Sequence, residues 1–117
     1  MGFDVYVSKN RDTYFSLWRL TQFGCQHPEE VRRTIQTASA MIRSQSGAEC
    51  HLFIPIGGEW DYIGIAWGID DERIVAIQHA IRAMGTFDAT FVKAREFTLS
   101  EFGRFAEMVE GFRNTKP

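Results

Sequence analysis

Residues 50–67 have the sequence CHLFIPIGGEWDYIGIAW, and this stretch decides the fold. β-Branched and aromatic residues flank Gly57-Gly58, and two consecutive glycines supply the positive φ angles that a two-residue hairpin loop needs. The stretch therefore predicts a strand over 50–56, a Gly57-Gly58 turn and a strand over 59–67. The register of that hairpin predicts these opposed residues: Ile56–Glu59, Pro55–Trp60, Ile54–Asp61, Phe53–Tyr62, Leu52–Ile63, His51–Gly64 and Cys50–Ile65.

The predicted hairpin has two chemically different faces, because side chains alternate along a strand and opposed residues share a face. One face is aliphatic and is expected to seat the helices: Cys50, Leu52, Ile54, Ile63 and Ile65. The other face is aromatic and largely uncharged: His51, Phe53, Pro55, Trp60, Tyr62, Gly64 and Ala66.

Two strands and two helices are predicted around the hairpin. The aromatic segment 13–23 and the segment 86–97 have strand composition. A helix begins near Pro28, carries an apolar stripe and ends by Gly47, and a second helix is capped by Asp70 and stopped by Gly85. The apolar stripes of these two helices are Val31, Ile35, Ala38 and Ile42, then Ile74, Ile77, Ile81 and Met84.

The resulting order is β-α-β-β-α-β, which predicts a ferredoxin-like α+β fold with an antiparallel sheet and two helices on one face. A C-terminal helix follows, opened by a Thr98–Glu101 capping box and carrying Phe102, Phe105 and Val109. Residues 1–13 form an N-terminal extension with an extra strand proposed at 3–8, residues 14–110 form the domain, and residues 111–117 form a tail.

The composition of the chain disfavours some classes of function. The chain has 117 residues, 13 Lys and Arg against 15 Asp and Glu, and a net charge of −2 without any basic block, which argues against nucleic-acid binding. It has no apolar run of membrane-spanning length and no signal-peptide core, so a cytoplasmic protein without a membrane partner is expected. In that compartment Cys25 and Cys50 are expected to be free thiols.

Four kinds of chemical site can be weighed against this topology. Gly57-Gly58 leads into a strand and not into a helix, so a phosphate-binding loop is disfavoured. Glu59 and Asp61 are interpreted as strand-end charges more readily than as catalytic carboxylates. The pairs Cys25–His27 and Cys50–His51 fall at opposite ends of the sheet, which disfavours zinc, and no serine or cysteine has an obvious local base. We expect no metal and no cofactor.

Several short motifs resemble the GYD-domain family: Gly58-Glu59-Trp60-Asp61, Asp70-Asp71-Glu72, and Arg95-Glu96-Phe97-Thr98 with Glu101-Phe102. The resemblance covers roughly residues 14–110, with Trp60 where the family usually has tyrosine. It implies a ferredoxin-like fold that associates as a dimeric α/β barrel. It implies no established activity and no agreed catalytic residues.

The aromatic face is predicted to lie against a second copy of the chain, because contiguous exposed apolar patches are rare in monomers. A small apolar or aromatic molecule could bind between the subunits, since Gly64 has no side chain and Ala66 only a methyl group, which leaves space above that face. The hypothetical ligand-binding residues are His51, Phe53, Trp60, Tyr62, Gly64 and Arg95. Arg95 has two alternative roles, an anion anchor or an ion pair with Glu96 or Glu101. Two other functions remain open, a cofactor-independent monooxygenase by fold analogy and a purely structural or regulatory association module.

Overall fold

A four-stranded antiparallel sheet forms the centre of the computed structural model, which describes residues 13–95 and 99–114. The strands are β1 (Thr13–Leu20), β2 (Glu49–Phe53), β3 (Tyr62–Trp67) and β4 (Phe87–Ala94). Their order across the sheet is β2-β3-β1-β4, and every neighbouring pair is antiparallel. This order confirms the predicted ferredoxin-like α+β fold.

The described chain also contains four helices: α1 (Gln22–Gln26), α2 (Pro28–Arg43), α3 (Asp71–Met84) and α4 (Leu99–Asn114). The predicted stripes of α2 and α3 pack on one face of the sheet, where Ile42, Ile77 and Ile81 join Trp18 and Phe87 in the core. The predicted helix ends are confirmed at Pro28, Asp70 and Gly85. The Asp70 carboxylate accepts a hydrogen bond from the Arg73 amide at 2.8 Å, and Gly85 ends α3 in the left-handed conformation.

Helix α1 was not predicted, because the composition of residues 13–23 predicted a strand up to residue 23. The Thr21 hydroxyl caps the new helix by accepting a hydrogen bond from the Gly24 amide at 3.0 Å. Gly24 is required there, because a Cβ at this position would lie 2.3 Å from the Thr86 carbonyl oxygen. The backbone of α1 thus packs directly against the start of β4.

The predicted two-residue hairpin is wrong. Gly57 and Gly58 do have positive φ angles of 85° and 83°, but they lie inside a longer loop, because β2 ends at Phe53 and β3 begins at Tyr62. The register is shifted by one residue from the predicted one. The observed pairs are Glu49–Trp67, Cys50–Ala66, His51–Ile65, Leu52–Gly64 and Phe53–Ile63.

Contacts between β1 and β3 explain the shift. Gly64 pairs with Ser16, and a Cβ on Gly64 would lie 2.3 Å from Ser16 Oγ, so a side chain at this position would force the Ser16 hydroxyl to move. Asp61 fixes the start of β3, because its amide donates to the Trp18 carbonyl at 2.9 Å and its carboxylate accepts from the Leu20 amide at 2.8 Å. A one-residue slip turns a whole strand over.

The observed register changes which residues share each face of the sheet. Cys50 and Leu52 face the helices as predicted, but their companions on β3 are Tyr62, Gly64 and Ala66, and not Ile63 and Ile65. The helix-free face carries these residues: Phe15, Leu17, His51, Phe53, Ile63, Ile65, Trp67 and Val92. Ile65 is only 2% exposed and Trp67 is buried, whereas Phe53 and Val92 are 42% and 46% exposed.

Helix α4 forms as predicted, but the described helix has no buried residue, and Phe102, Phe105 and Val109 are all exposed. The proposed strand at 3–8, the Thr98 half of the capping box and residues 115–117 lie outside the described residues. Among the described helices, none has the length and apolar character that crossing a membrane requires.

Candidate functional site

A cavity of about 290 Å³ lies between the sheet and helix α2. Its apolar walls come from the α2 stripe and from the helix-facing side of the sheet: Ile35, Ala38, Ile42, Leu52, Ala66 and Phe91. Its polar lining groups are the side chains of Ser16, Trp18, Ser39, Arg43 and Cys50. The site is therefore mainly apolar, with a few polar groups, which is the usual character of small-molecule pockets.

Small residues on both layers create this cavity. Ser16, Gly64 and Ala66 lie next to one another in the sheet, and Ala38 and Ser39 face them from α2. Large side chains at these positions would fill the space to the density of an ordinary protein interior. The cavity therefore results from small residues that the fold brings together between the sheet and α2.

The inner end of the cavity has a buried hydrogen bond. The Trp18 indole Nε1–H donates to Ser16 Oγ over 2.7 Å, and Ser16 is only 3% exposed. Gly64 leaves the space that the Ser16 hydroxyl occupies, because a Cβ there would also lie 3.4 Å from Trp18 Nε1. Trp18 is held in turn by an edge-to-face contact with Phe87, with ring centroids 5.0 Å apart.

The outer end of the cavity is fixed by the Arg43 guanidinium, which bridges α2 and β2. It donates to the Glu49 carboxylate at 2.9 Å, to Ser39 Oγ at 3.0 Å and to the Cys50 carbonyl at 2.9 Å. The hydrogen bond from the Cys50 amide and then that from Arg43 hold the pKa of Glu49 below its ordinary value. The hydrogen bond to Glu49 likewise raises the pKa of Arg43. The charge of Arg43 is therefore already balanced by the protein.

The structure does not bring the six sequence-predicted ligand residues together. Gly64 lines the cavity, and His51 lies at its β2 edge, but the His51 ring stacks on Trp67 with centroids 5.5 Å apart. Phe53 is exposed on the helix-free face, and Tyr62 packs edge-on against Phe87 in the core. The predicted grouping of His51, Phe53 and Gly64 on one face followed from the wrong register.

The remaining two predicted residues lie apart from the cavity. The Trp60 ring is covered by the Arg19 guanidinium, whose central carbon is 4.7 Å from the ring centroid. Arg95 forms an ion pair with Glu101 at 2.5 Å, which is the second of the two roles considered for it. This contact raises the pKa of Arg95 and lowers that of Glu101.

The chemistry available in the cavity is binding through shape and a few hydrogen bonds. Among the described residues no carboxylate side chain lines it, and no group of three or more potential metal ligands occurs. The Cys50 thiol lies 3.7 Å from Ser39 Oγ, and both described cysteines are free thiols. Proton transfer in this cavity would have to rely on hydroxyl, thiol or imidazole groups, and the one imidazole faces away.

A second, more open groove of about 430 Å³ lies where α1 meets α2. Cys25, Pro28, Val31 and Tyr62 are among its lining residues. Its lining is also mainly apolar, but among the described residues it contains no buried polar pair like that of Ser16 and Trp18. The first cavity is therefore the candidate site.

Sequence reasoning missed Ser16, Trp18, Ala38 and Ser39, although one signal for them was present. Gly64 and Ala66 were expected to leave space above the sheet, but on the helix-free face. In the helix, Ala38-Ser39-Ala40 is a run of small residues within an otherwise bulky stripe. Matching these two sets of small residues across the layers would have located the cavity.

Comparisons with known proteins support the fold. No protein-family model matches the chain, and no curated protein sequence matches it. The chain is similar in structure to At3g17210 from Arabidopsis thaliana, at 10% sequence identity and a TM-score of 0.56. That match covers 75% of this chain and 97% of the other.

Two further structures are similar at a lower level. One is SnoaB, a cofactor-independent oxygenase from Streptomyces nogalater, at 15% identity, with 76% of this chain and 97% of SnoaB covered and a TM-score of 0.46. The other is the de novo designed protein Foldit4, at 13% identity, with 74% and 97% covered and a TM-score of 0.45. The At3g17210 match and the strand order show that this chain has a ferredoxin-like α+β fold.

Proposed function

We propose that this protein binds a small, neutral, mainly apolar molecule between its sheet and helix α2. The observation that supports this proposal is the cavity of about 290 Å³ lined by the small and aliphatic residues described above. The cavity is partly open to solvent, so a ligand that enters it would remove apolar surface of both partners from water, which is favourable. A ligand would supply the missing packing contacts.

The size and charge of the cavity define the kind of ligand. An engineered apolar cavity of about 150 Å³ binds benzene, so a cavity about twice as large suits a compound of roughly two fused rings. No carboxylate lines the described cavity, and Arg43 is paired with Glu49 at its outer end. These groups favour an uncharged molecule over an anion or a cation.

Binding is favoured over catalysis by the same lining. The cofactor-independent oxygenase considered above would need groups placed to exchange protons with a substrate. The described lining offers two hydroxyls, one thiol and an imidazole whose ring stacks on Trp67 outside the cavity. We therefore propose a binding protein as the primary function.

Calorimetric titration with naphthalene tests this proposal. The unmodified protein is expected to bind, and Ala38→Leu is expected to lose binding, because Ala38 is buried in the cavity wall and leucine adds three carbons there. The matched control is Ala76→Leu, on the exposed side of α3 away from the cavity lining. Absence of binding to the folded unmodified protein, or equal binding by Ala38→Leu, contradicts the proposal.

A second copy of this chain is the proposed partner, on the helix-free face. Phe53 and Val92 are 42% and 46% exposed there, beside the half-buried Leu17 and Ile63. Apolar residues clustered in this way are typical of an interface, and a two-fold dimer is the commonest solution. The proposed interface is again the sheet face opposite the helices, and its residues are those of the observed register.

Light scattering tests the dimer with two matched substitutions. Val92→Asp is expected to give a monomer, because it places a charge in the proposed interface. Val75→Asp is the control, since Val75 is 52% exposed on α3 on the opposite side of the sheet. A monomeric unmodified protein, or the same mass for both variants, contradicts the dimer.

We also propose a family and a cellular location for the protein. The GYD-domain family is proposed from the short motifs around Gly58, Asp70 and Arg95, while the structural likeness supports the ferredoxin-like fold. The cytoplasm is proposed as the location, which is consistent with free thiols at Cys25 and Cys50.

A further inference from the structure

We infer that the ligand of this cavity carries a hydrogen-bond acceptor oxygen, such as a ketone, on its apolar body, and that Ser16 donates to it. This inference rests on the proposed binding function and specifies the chemical class of the ligand. It is carried by the buried pair formed by Ser16 and Trp18 and by the glycine beside that pair.

The donor capacity of Ser16 is unused by the protein. A serine hydroxyl has one proton to donate and two lone pairs that accept. The Trp18 indole occupies one lone pair at 2.7 Å, because an indole N–H can only donate. Across residues 13–95 and 99–114, the Ser16 hydroxyl makes no hydrogen bond in which it donates to a protein acceptor. The proton is therefore left for an occupant of the cavity.

The surroundings of Ser16 direct that proton to the cavity. Ser16 is only 3% exposed, and the side toward β3 is closed by the Gly64 backbone. Trp18 lies on a second side, and Phe91 pairs with Ser16 from β4. The remaining side of the Ser16 hydroxyl faces the cavity. A buried donor without an acceptor costs roughly 1–3 kcal/mol, so a ligand with an acceptor at this point is favoured.

Trp18 and Gly64 act as positioning residues in this arrangement. The indole N–H holds Ser16 Oγ in place and polarises the hydroxyl, since hydrogen bonds in a chain strengthen one another. Gly64 makes the position of Oγ possible, because any side chain would occupy the same space. Selectivity for an acceptor oxygen thus depends on three neighbouring residues of β1 and β3.

Two naphthalene probes of nearly equal shape separate this inference from the binding proposal. 2-Acetylnaphthalene has a ketone oxygen where 2-isopropylnaphthalene has a methyl group. Calorimetry would give the ratio of the two affinities for the unmodified protein, for Ser16→Ala and for Ser46→Ala. The last variant is the matched control, because it also removes one serine hydroxyl but Ser46 is exposed and does not line the cavity.

Ser16→Ala is expected to lower the affinity for 2-acetylnaphthalene relative to 2-isopropylnaphthalene by about 2- to 12-fold, the usual effect of one neutral hydrogen bond. Ser46→Ala is expected to leave the ratio unchanged within about twofold. An unchanged ratio in Ser16→Ala, with both probes still bound, overturns the inference and leaves the binding proposal intact. Failure of both probes to bind the unmodified protein overturns both.

A measurement on the unmodified protein keeps the inference testable if Ser16→Ala does not fold. The carbonyl ¹³C resonance of labelled 2-acetylnaphthalene is expected to move downfield on binding, relative to its position in a hydrocarbon solvent, because a donated hydrogen bond withdraws electron density. A bound resonance at the hydrocarbon position overturns the inference.

Discussion

Replacing Gly64 with alanine tests the arrangement on which the candidate site depends. The new Cβ would lie 2.3 Å from Ser16 Oγ, 3.3 Å from a Leu52 methyl carbon and 3.4 Å from Trp18 Nε1. The first distance is impossible, so the Ser16 hydroxyl must rotate away. That rotation breaks the buried hydrogen bond from Trp18.

The expected magnitude combines three effects. Overpacking costs roughly 1–3 kcal/mol, and a buried Trp18 N–H without an acceptor costs roughly a further 1–3 kcal/mol. A gain of roughly 0.4–1 kcal/mol opposes these costs, because alanine has less conformational freedom than glycine in the unfolded chain. Gly64→Ala is therefore expected to lower the free energy of unfolding by about 1–5 kcal/mol.

A double-mutant cycle identifies the cause. In a Ser16→Ala background the clashing oxygen is absent, so adding Gly64→Ala is expected to cost less than about 1 kcal/mol. Urea denaturation followed by circular dichroism measures all four proteins. Gly103→Ala on exposed α4 is the control, since a Cβ there meets nothing within 4 Å, and it is expected to stabilise slightly. Equal costs of Gly64→Ala in the two backgrounds would refute the reasoning.

Two further predictions concern groups that hold α2 in place. Glu49→Gln is expected to destabilise at pH 7, and its difference from the unmodified protein in urea denaturation should shrink as pH falls below about 4.3; a pH-independent difference would count against it. The sign follows because the pKa of Glu49 is lowered in the folded protein, so its stabilisation is lost as pH falls through that pKa. Thr34→Val should cost roughly 1–3 kcal/mol, because it leaves the buried Thr86 hydroxyl without the acceptor of its 2.6 Å hydrogen bond. Thr86→Val should cost less, because the Thr34 hydroxyl still donates to the Glu30 carbonyl at 2.9 Å. Equal costs for the two threonine variants, measured by thermal unfolding, would contradict this account.

Most of the fold could be predicted from local sequence signals. The ends of α2 and α3 follow from Pro28, Asp70 and Gly85, whose effects on backbone geometry need no tertiary information. The strand composition of 13–23 and 86–97 likewise predicted β1 and β4, although the observed strands are shorter, at Thr13–Leu20 and Phe87–Ala94. Local sequence rules predict a helix or strand correctly where its formation depends mainly on the residues within it and at its ends.

The register of β3 could not be predicted, because it depends on a residue far away in the sequence. Gly57-Gly58 has the geometry of a tight turn, but the Asp61 contacts with β1 determine where β3 begins. The Ser16 side chain then determines which face Gly64 occupies. A hairpin rule considers only β2 and β3, the two strands that it joins, and omits β1, which pairs with β3 on its other side.

The error in register placed Gly64 on the helix-free face, whereas the candidate cavity lies on the helix-facing side of the sheet. Gly64 was expected to leave space for a cavity, and it does line the candidate cavity. Helix α2, which forms the other wall of that cavity, was expected on the opposite face of the sheet. The exposed apolar residues of α4 were not foreseen either, since an apolar stripe in a sequence predicts burial without naming the surface that covers it. Both errors concern tertiary contacts between elements that were individually predicted.

The most direct test of the central claim is a ¹⁵N-resolved NMR titration of the protein with 2-acetylnaphthalene. A ligand bound between the sheet and α2 is expected to shift the amide resonances of Ser16, Cys50 and Gly64 with one common affinity. Amide shifts confined to Phe53 and Val92 on the helix-free face, or no shifts at saturating probe, would contradict the claim.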